Sequence, residues 1–179
     1  MHLPAKSPSQ EWVGVLIAIP EPWVTLLTEA RRAYGDPAAE AVPAHITLIP
    51  PTAVERDQKE ALITHLRKVA SYFGAFRLTV KGTDSFLPIS PVAFLNLKNG
   101  REECVSLADE LRTGPLDFEL RFPYHPHVTL AQGVPEAELR RAIADWDDFE
   151  ATWVVPGFRL DAVAEDGTYT SRALFDFPL

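Results

Sequence analysis

Apolar and polar positions follow two alternating periods along the chain, and the switches between them mark out strands and helices. Trp12–Ile19 is short and rich in Val and Ile, as a buried strand is. Pro22 suits the first position of a helix that carries Trp23, Leu26, Leu27 and Ala30 at helical spacing, and Gly35 stops it. His45–Ile49 predicts a strand closed by Pro50 and Pro51. Thr52 and Glu55 form a capping-box pattern ahead of a helical stripe of Leu62, Leu66, Val69 and Phe73, which Gly74 ends. Phe76–Gly82 alternates like a half-buried strand, Thr83–Pro91 is a loop, and Val92–Leu97 is a strand. Arg101–Arg112 is a helix with Cys104, Leu107, Ala108 and Leu111 on one side, ended by Gly114. Pro126–Ala131 holds a further strand, and Pro135 opens a helix carrying Leu139, Ile143 and Trp146. The tail predicts strands at Ala151–Val155, Phe158–Val163 and Thr170–Phe175, with Asp166-Gly167 as a hairpin turn.

The order of these elements repeats. Strand, helix, strand, helix, strand runs from residue 13 to 82 and again from 92 to 163. Val13 and Val92 are 79 positions apart; His45 and His127 are 82 apart. No Pro/Gly/Ser-rich linker separates the halves. The expectation is one bilobal α+β domain over residues 1–179, closed by a C-terminal hairpin at 158–177.

Composition removes several classes of function. With 46% hydrophobic and 23% charged residues, the chain is neither disordered nor fibrous. Its 25 acidic residues outnumber 17 Lys plus Arg, for a net charge of −8. Such a surface is unsuited to long duplex nucleic acid, which needs cations to displace counterions. A small anion held at one site is compatible with it. The longest apolar run, Val13–Ile19, is far below the roughly 20 residues that span a bilayer. Met1–Glu11 has one lysine, ends in an acid and does not resemble a signal peptide, so a cytoplasmic protein without membrane contact is expected. Cys104 is the only cysteine, which excludes an internal disulfide and a Cys-rich zinc site.

The chemistry lies in a tetrapeptide that occurs twice: His45-Ile46-Thr47-Leu48 and His127-Val128-Thr129-Leu130. With five histidines in the chain, composition alone gives about 0.04 copies of His-x-Thr-Leu by template matching. Both copies fall at equivalent places in the repeat. In a strand, residues i and i+2 share a face, so each motif presents an imidazole and a hydroxyl about 7 Å apart along the backbone. Ile46, Leu48, Val128 and Leu130 turn to the opposite, apolar layer. Two such strands across a cleft offer two imidazoles and two hydroxyls to one small anion. Histidine serves as base or acid near neutrality. Threonine hydroxyls donate to non-bridging phosphate oxygens. That set suffices for phosphodiester chemistry without a metal.

Paired His-x-Thr-x motifs about 80 residues apart resemble the two-histidine (2H) phosphoesterase superfamily, and most nearly its bacterial 2′-5′ RNA ligase and RNA 2′,3′-cyclic phosphodiesterase branch. The resemblance spans roughly Val13–Phe175. It implies two antiparallel sheets flanked by outer helices around a central cleft, with His45 and His127 catalytic and Thr47 and Thr129 binding substrate. It also implies hydrolysis of a nucleotide or RNA-terminal 2′,3′-cyclic phosphate, with 2′-5′ ligation as the reverse reaction and no cofactor. His127 as base and His45 as acid is the preferred of two nearly equivalent orders. Phe86 matches an aromatic common in the loop before the middle strand. Phe86 and Tyr124 are the aromatics expected to reach a substrate base. Two basic positions of the branch are absent. Leu130-Ala131-Gln132 follows the second motif where many members carry a cation, and Ser85–Pro91 has no arginine. Arg121 and Arg172 are the candidates for replacing that charge.

Two other readings compete. His125 and His127 have the His-x-His spacing of metal ligands, which defines a metal-dependent hydrolase as one alternative. A nucleotide-binding sensor without turnover is the other. The expected partner is a small nucleotide or an RNA terminus, and the expected state is a monomer. His65 reads as a boundary residue beside a helical stripe, and His2 as part of a loose terminus. Trp12, Trp23, Trp146 and Trp153 lie in periodic segments and read as core; Asp145–Asp148 reads as a solvated helix end.

Overall fold

The computed structural model describes residues 3–118, 120 and 122–178; His2, Glu119 and Arg121 lie outside the described residues. In chain order the elements are β1 (Gln10–Ala18), α1 (Trp23–Ala33), β2 (His45–Glu55), α2 (Lys59–Ala70), β3 (Phe76–Ser85) and β4 (Val92–Asn99). They continue with α3 (Arg101–Leu111), β5 (His127–Gln132), α4 (Glu136–Trp146), β6 (Glu150–Val155), β7 (Gly157–Val163) and β8 (Tyr169–Asp176).

Alternation along the strands gives each sheet one apolar face, and the helices cover it. Ile46, Leu48, Val128 and Leu130 are at most 1% exposed, facing the core as their spacing predicts. Cys104, Leu107, Ala108 and Leu111 of α3 are fully buried. The strands form two four-stranded sheets, ordered β2-β1-β7-β8 and β5-β4-β3-β6, and every described pairing is antiparallel. The α+β architecture of two antiparallel sheets with helices outside is thus present. Helix α4 packs on β3, β4 and β5, α3 on β2 and β4, and α2 on α3 and β8. Among the described residues no helix is long and apolar enough to cross a membrane.

The sheets do not follow the sequence halves strand for strand. The third strand of the first half, β3, pairs with β4 and β6. The third strand of the second half, β7, pairs with β1 and β8. Each sheet therefore contains strands from both halves, and neither closes without the other.

Four local expectations need correction. Strand β2 continues through Pro50 and Pro51 to Glu55. It is the edge of its sheet, where a residue without an N–H leaves no ladder bond unmade. Thr52 consequently pairs with Val13 and its Oγ1 donates to the Pro50 carbonyl at 2.9 Å, so the capping box does not form and α2 starts at Lys59. Strand β3 runs on to Ser85 through a bulge between Val80 and Thr83, where Gly82 takes a φ of +75° that a side chain would strain. Trp12 is not a core residue: its indole N–H donates to the Pro4 carbonyl and the Lys6 ammonium lies over its ring.

Candidate active site

His45 and His127 are the first residues of β2 and β5, and Thr47 and Thr129 stand two positions further along. The alternation that sends Ile46 and Val128 into the core turns all four polar side chains the other way. They line one cavity of about 170 Å³, with Arg31, Gln132 and Tyr169 completing its polar wall. That volume suits a phosphodiester and its immediate substituents better than a whole enclosed nucleotide, since pockets that bury drug-sized ligands run from about 300 Å³ upward. A larger cavity, of about 300 Å³, lies elsewhere and holds none of these residues.

The two imidazoles are held alike. Nδ1 of His45 lies 2.8 Å from the Pro43 carbonyl, and Nδ1 of His127 lies 2.7 Å from the His125 carbonyl. A carbonyl only accepts, so each Nδ1 carries the proton and donates it. Each neutral ring is left with its Nε2 lone pair as the nitrogen available to the cavity. Desolvation pushes both histidines down to about 4, against the opposing effect of the carbonyl bonds. The positive charges of Arg31 and Arg159 lower His45 further, as does His127; for His127 the additional charge is that of His125.

The surroundings of the two rings differ. His127 has Phe86 and Phe94 against it, with ring centroids 5.0 and 5.1 Å away. His45 has Tyr169 at 5.9 Å. Tyr169 lies over Gly14, where an added Cβ would come within 3.1 Å of the ring. Burial and the Asp161 carboxylate push the Tyr169 phenol up to about 12, which keeps it protonated. Arg31 is 1% exposed and fixed from behind: its Nε donates to Asp36 at 2.8 Å and its Nη1 to the Val42 carbonyl at 2.9 Å.

Tyr124 and Phe86 are near this cavity without lining it. The Tyr124 hydroxyl donates to the Thr47 carbonyl at 2.7 Å, and its ring packs on the core. Phe86 packs against Phe94 with ring centroids 4.3 Å apart and planes tilted by 35°, and meets His125 and His127 edge-on. His125 sits beside the site, its Nε2 buried without a partner and its ring centroid 6.3 Å from that of His127. Among the described residues no three His, Cys, Asp or Glu side chains converge as a metal site would require. Arg172 lines the separate larger cavity. His65 reaches the Leu111 carbonyl through Nε2 at 3.3 Å, away from the motifs.

Arg31, Gln132 and Tyr169 were not singled out from the sequence as site residues. Arg31 had one available signal: it falls four positions after Leu27 on the buried side of α1, where a cation needs a partner, and Asp36 follows five positions later. Tyr169 opens the last strand after the Asp166-Gly167 turn, and nothing local marks it.

A family model described as the 2′-5′ RNA ligase superfamily matches residues 19–164. A protein of Bacillus cereus (strain B4264), named "Putative phosphoesterase", is 30% identical over 147 residues, covering 81% of this chain and 84% of the relative. The crystal structure of E. coli LigT complexed with 3′-AMP aligns with a TM-score of 0.62 at 20% identity, over 95% of this chain and 99% of the other. LigT complexed with NADP+ aligns with a TM-score of 0.66 at 19% identity, over 96% and 99%. At these identities the structural likeness speaks to the fold.

Proposed function

The chain belongs to the 2′-5′ RNA ligase superfamily, and from that premise we propose that it is a metal-independent phosphodiesterase of small nucleotides or RNA termini bearing a 2′,3′-cyclic phosphate. The observation that carries this reading is the matched pair of Nδ1-anchored histidines, each with a threonine two residues on, around one small cavity. The nucleotide complexes of LigT are consistent with a small ligand of this class.

Water attacks phosphorus while one neutral Nε2 takes its proton. The other histidine, protonated, gives its proton to the departing ribose oxygen. Thr47 and Thr129 donate to the non-bridging oxygens, whose charge grows in the transition state. Both histidines are neutral in the empty site at pH 7, so the phosphate anion itself raises the pKa of the one that must be charged. Two guanidinium groups act on His45 and none on His127. That asymmetry favours His45 as base and His127 as acid, the reverse of the order preferred from sequence. Replacing water by a ribose hydroxyl turns the same steps into ligation. Tyr124 and Phe86 act here by holding Thr47 and His127 in place rather than by touching a base.

The test is hydrolysis of adenosine 2′,3′-cyclic monophosphate by wild type, His45→Ala and His127→Ala, each with and without EDTA. Each substitution is expected to cost roughly 10²- to 10⁴-fold in rate with the fold intact, and EDTA to leave the wild type unchanged. Activity retained by the histidine variants, or lost in EDTA, overturns the proposal. Binding without turnover by folded wild type moves the site to the sensor reading.

A further inference from the structure

The two sheets meet the cleft with equivalent rows of side chains, and the third positions of the rows carry opposite charges. In the first sheet Leu16 stands opposite Thr47 on one side and Arg159 on the other. In the second, Phe94 stands opposite Thr129 on one side and Asp84 on the other. Directly paired residues of a sheet share a face, so Arg159 and Asp84 both lie on the face that carries the threonines. Arg159 is two strands from Thr47, roughly 10 Å across the sheet. Its charge is felt at His45.

Arg159 is held in a fork. Its Nε and Nη2 donate to the two Asp161 oxygens at 2.6 and 2.8 Å, and Asp161 is fully buried. Nη1 makes no hydrogen bond among the described residues, and the side chain keeps a quarter of its surface open. An exposed ion pair adds little to stability, but a buried carboxylate that fixes a half-open guanidinium makes a pre-oriented anion donor. Leu174, paired with Arg159 on the next strand and 70% exposed, adds an apolar shelf beside it.

We propose that Arg159 receives a second phosphate group of the substrate, on the His45 side of the scissile diester, so that the site selects nucleotides carrying one phosphate besides the one cleaved. This rests on the phosphodiesterase reading of the cleft. Asp84 at the equivalent place repels such a group and gives the substrate one orientation across an otherwise pseudo-symmetric cleft.

The test is calorimetric binding of adenosine 3′-monophosphate and adenosine 3′,5′-bisphosphate, which requires no turnover. Wild type is expected to prefer the bisphosphate by about 10-fold or more, the worth of one charge-assisted contact. Arg159→Gln is expected to bring that ratio close to one. Because this change strands the buried Asp161 carboxylate, Arg159→Gln/Asp161→Asn is measured beside it and is expected to lose the preference equally. Arg159→Lys retains the charge without the fork and is expected to keep only part of it. A wild type without preference, or a preference that survives in both glutamine variants, overturns the proposal. Failure of wild type to bind either nucleotide overturns the reading of the cleft as well, whereas turnover of the cyclic nucleotide without any bisphosphate preference overturns only the role of Arg159.

Discussion

The Tyr124 hydroxyl donates a 2.7 Å hydrogen bond to the carbonyl of Thr47, joining the segment that leads into the second motif to the strand that carries the first. The two residues lie in different sheets' territory, 77 positions apart in sequence. The bond is one of the contacts between the segments that carry the two motifs. Tyr124→Phe removes the donor and leaves a strand carbonyl unmet. The expected loss is about 1–2 kcal/mol of stability in urea denaturation, with a fall in kcat larger than any rise in KM. An unchanged kcat would mean that the motif spacing is held by other contacts.

The charge asymmetry around the histidines makes a second prediction. A general acid matters less when the leaving group needs no proton. With a p-nitrophenyl phosphodiester in place of a ribose leaving group, His127→Ala is expected to recover most of its deficit, and His45→Ala to recover little. Recovery by His45→Ala instead would restore the order preferred from sequence.

Both histidines titrate near 4 in the folded protein and near 6.5 when free. Between those values the unfolded chain binds more protons than the native one. Stability therefore rises with pH across this window; the contribution is complete above about 6.5 and lost as pH falls through about 4. Denaturation midpoints from pH 4 to 7 are expected to climb in wild type and to flatten in His45→Ala/His127→Ala. Bound phosphodiester raises the same pKa values, so the optimum of kcat is expected at higher pH than that of kcat/KM. Coincident optima would mean that the anion does not bind against the histidines.

Arg31 and Asp36 form an ion pair with side chains 2% and 0% exposed. Removing one partner leaves the other charge buried. Arg31→Leu is expected to destabilise the protein by roughly 3–5 kcal/mol, readable as a lower denaturation midpoint. Asp36→Asn is expected to cost less, because an amide oxygen can still accept from the Ala38 N–H that Asp36 now caps at 2.8 Å. Equal midpoints for wild type and Arg31→Leu would show that the pair contributes nothing net to stability.

Local periodicity and a repeated tetrapeptide made much of this protein legible in advance. The four helices, the strands and the inward faces of Ile46, Leu48, Val128 and Leu130 follow from spacing, because helix and strand periods are properties of neighbouring residues. The same rule turns His45, Thr47, His127 and Thr129 away from the core, and the structure gathers all four at one cavity. Spacing failed where the partner strand decided. Pro50 and Pro51 remain in a strand because β2 is an edge, and Thr83–Ser85 continue β3 through a bulge. It also failed for residues distant in sequence. Arg31, Tyr169 and the Arg159–Asp161 fork come from α1, β8 and β7, and only the exchange of third strands between the sheets brings β7 and β8 beside β1 and β2. Side-chain identity and period therefore determined which four polar residues turn away from the core to share that cavity. Tertiary structure decided which cations lie near His45, because charge acts through space and not along the chain.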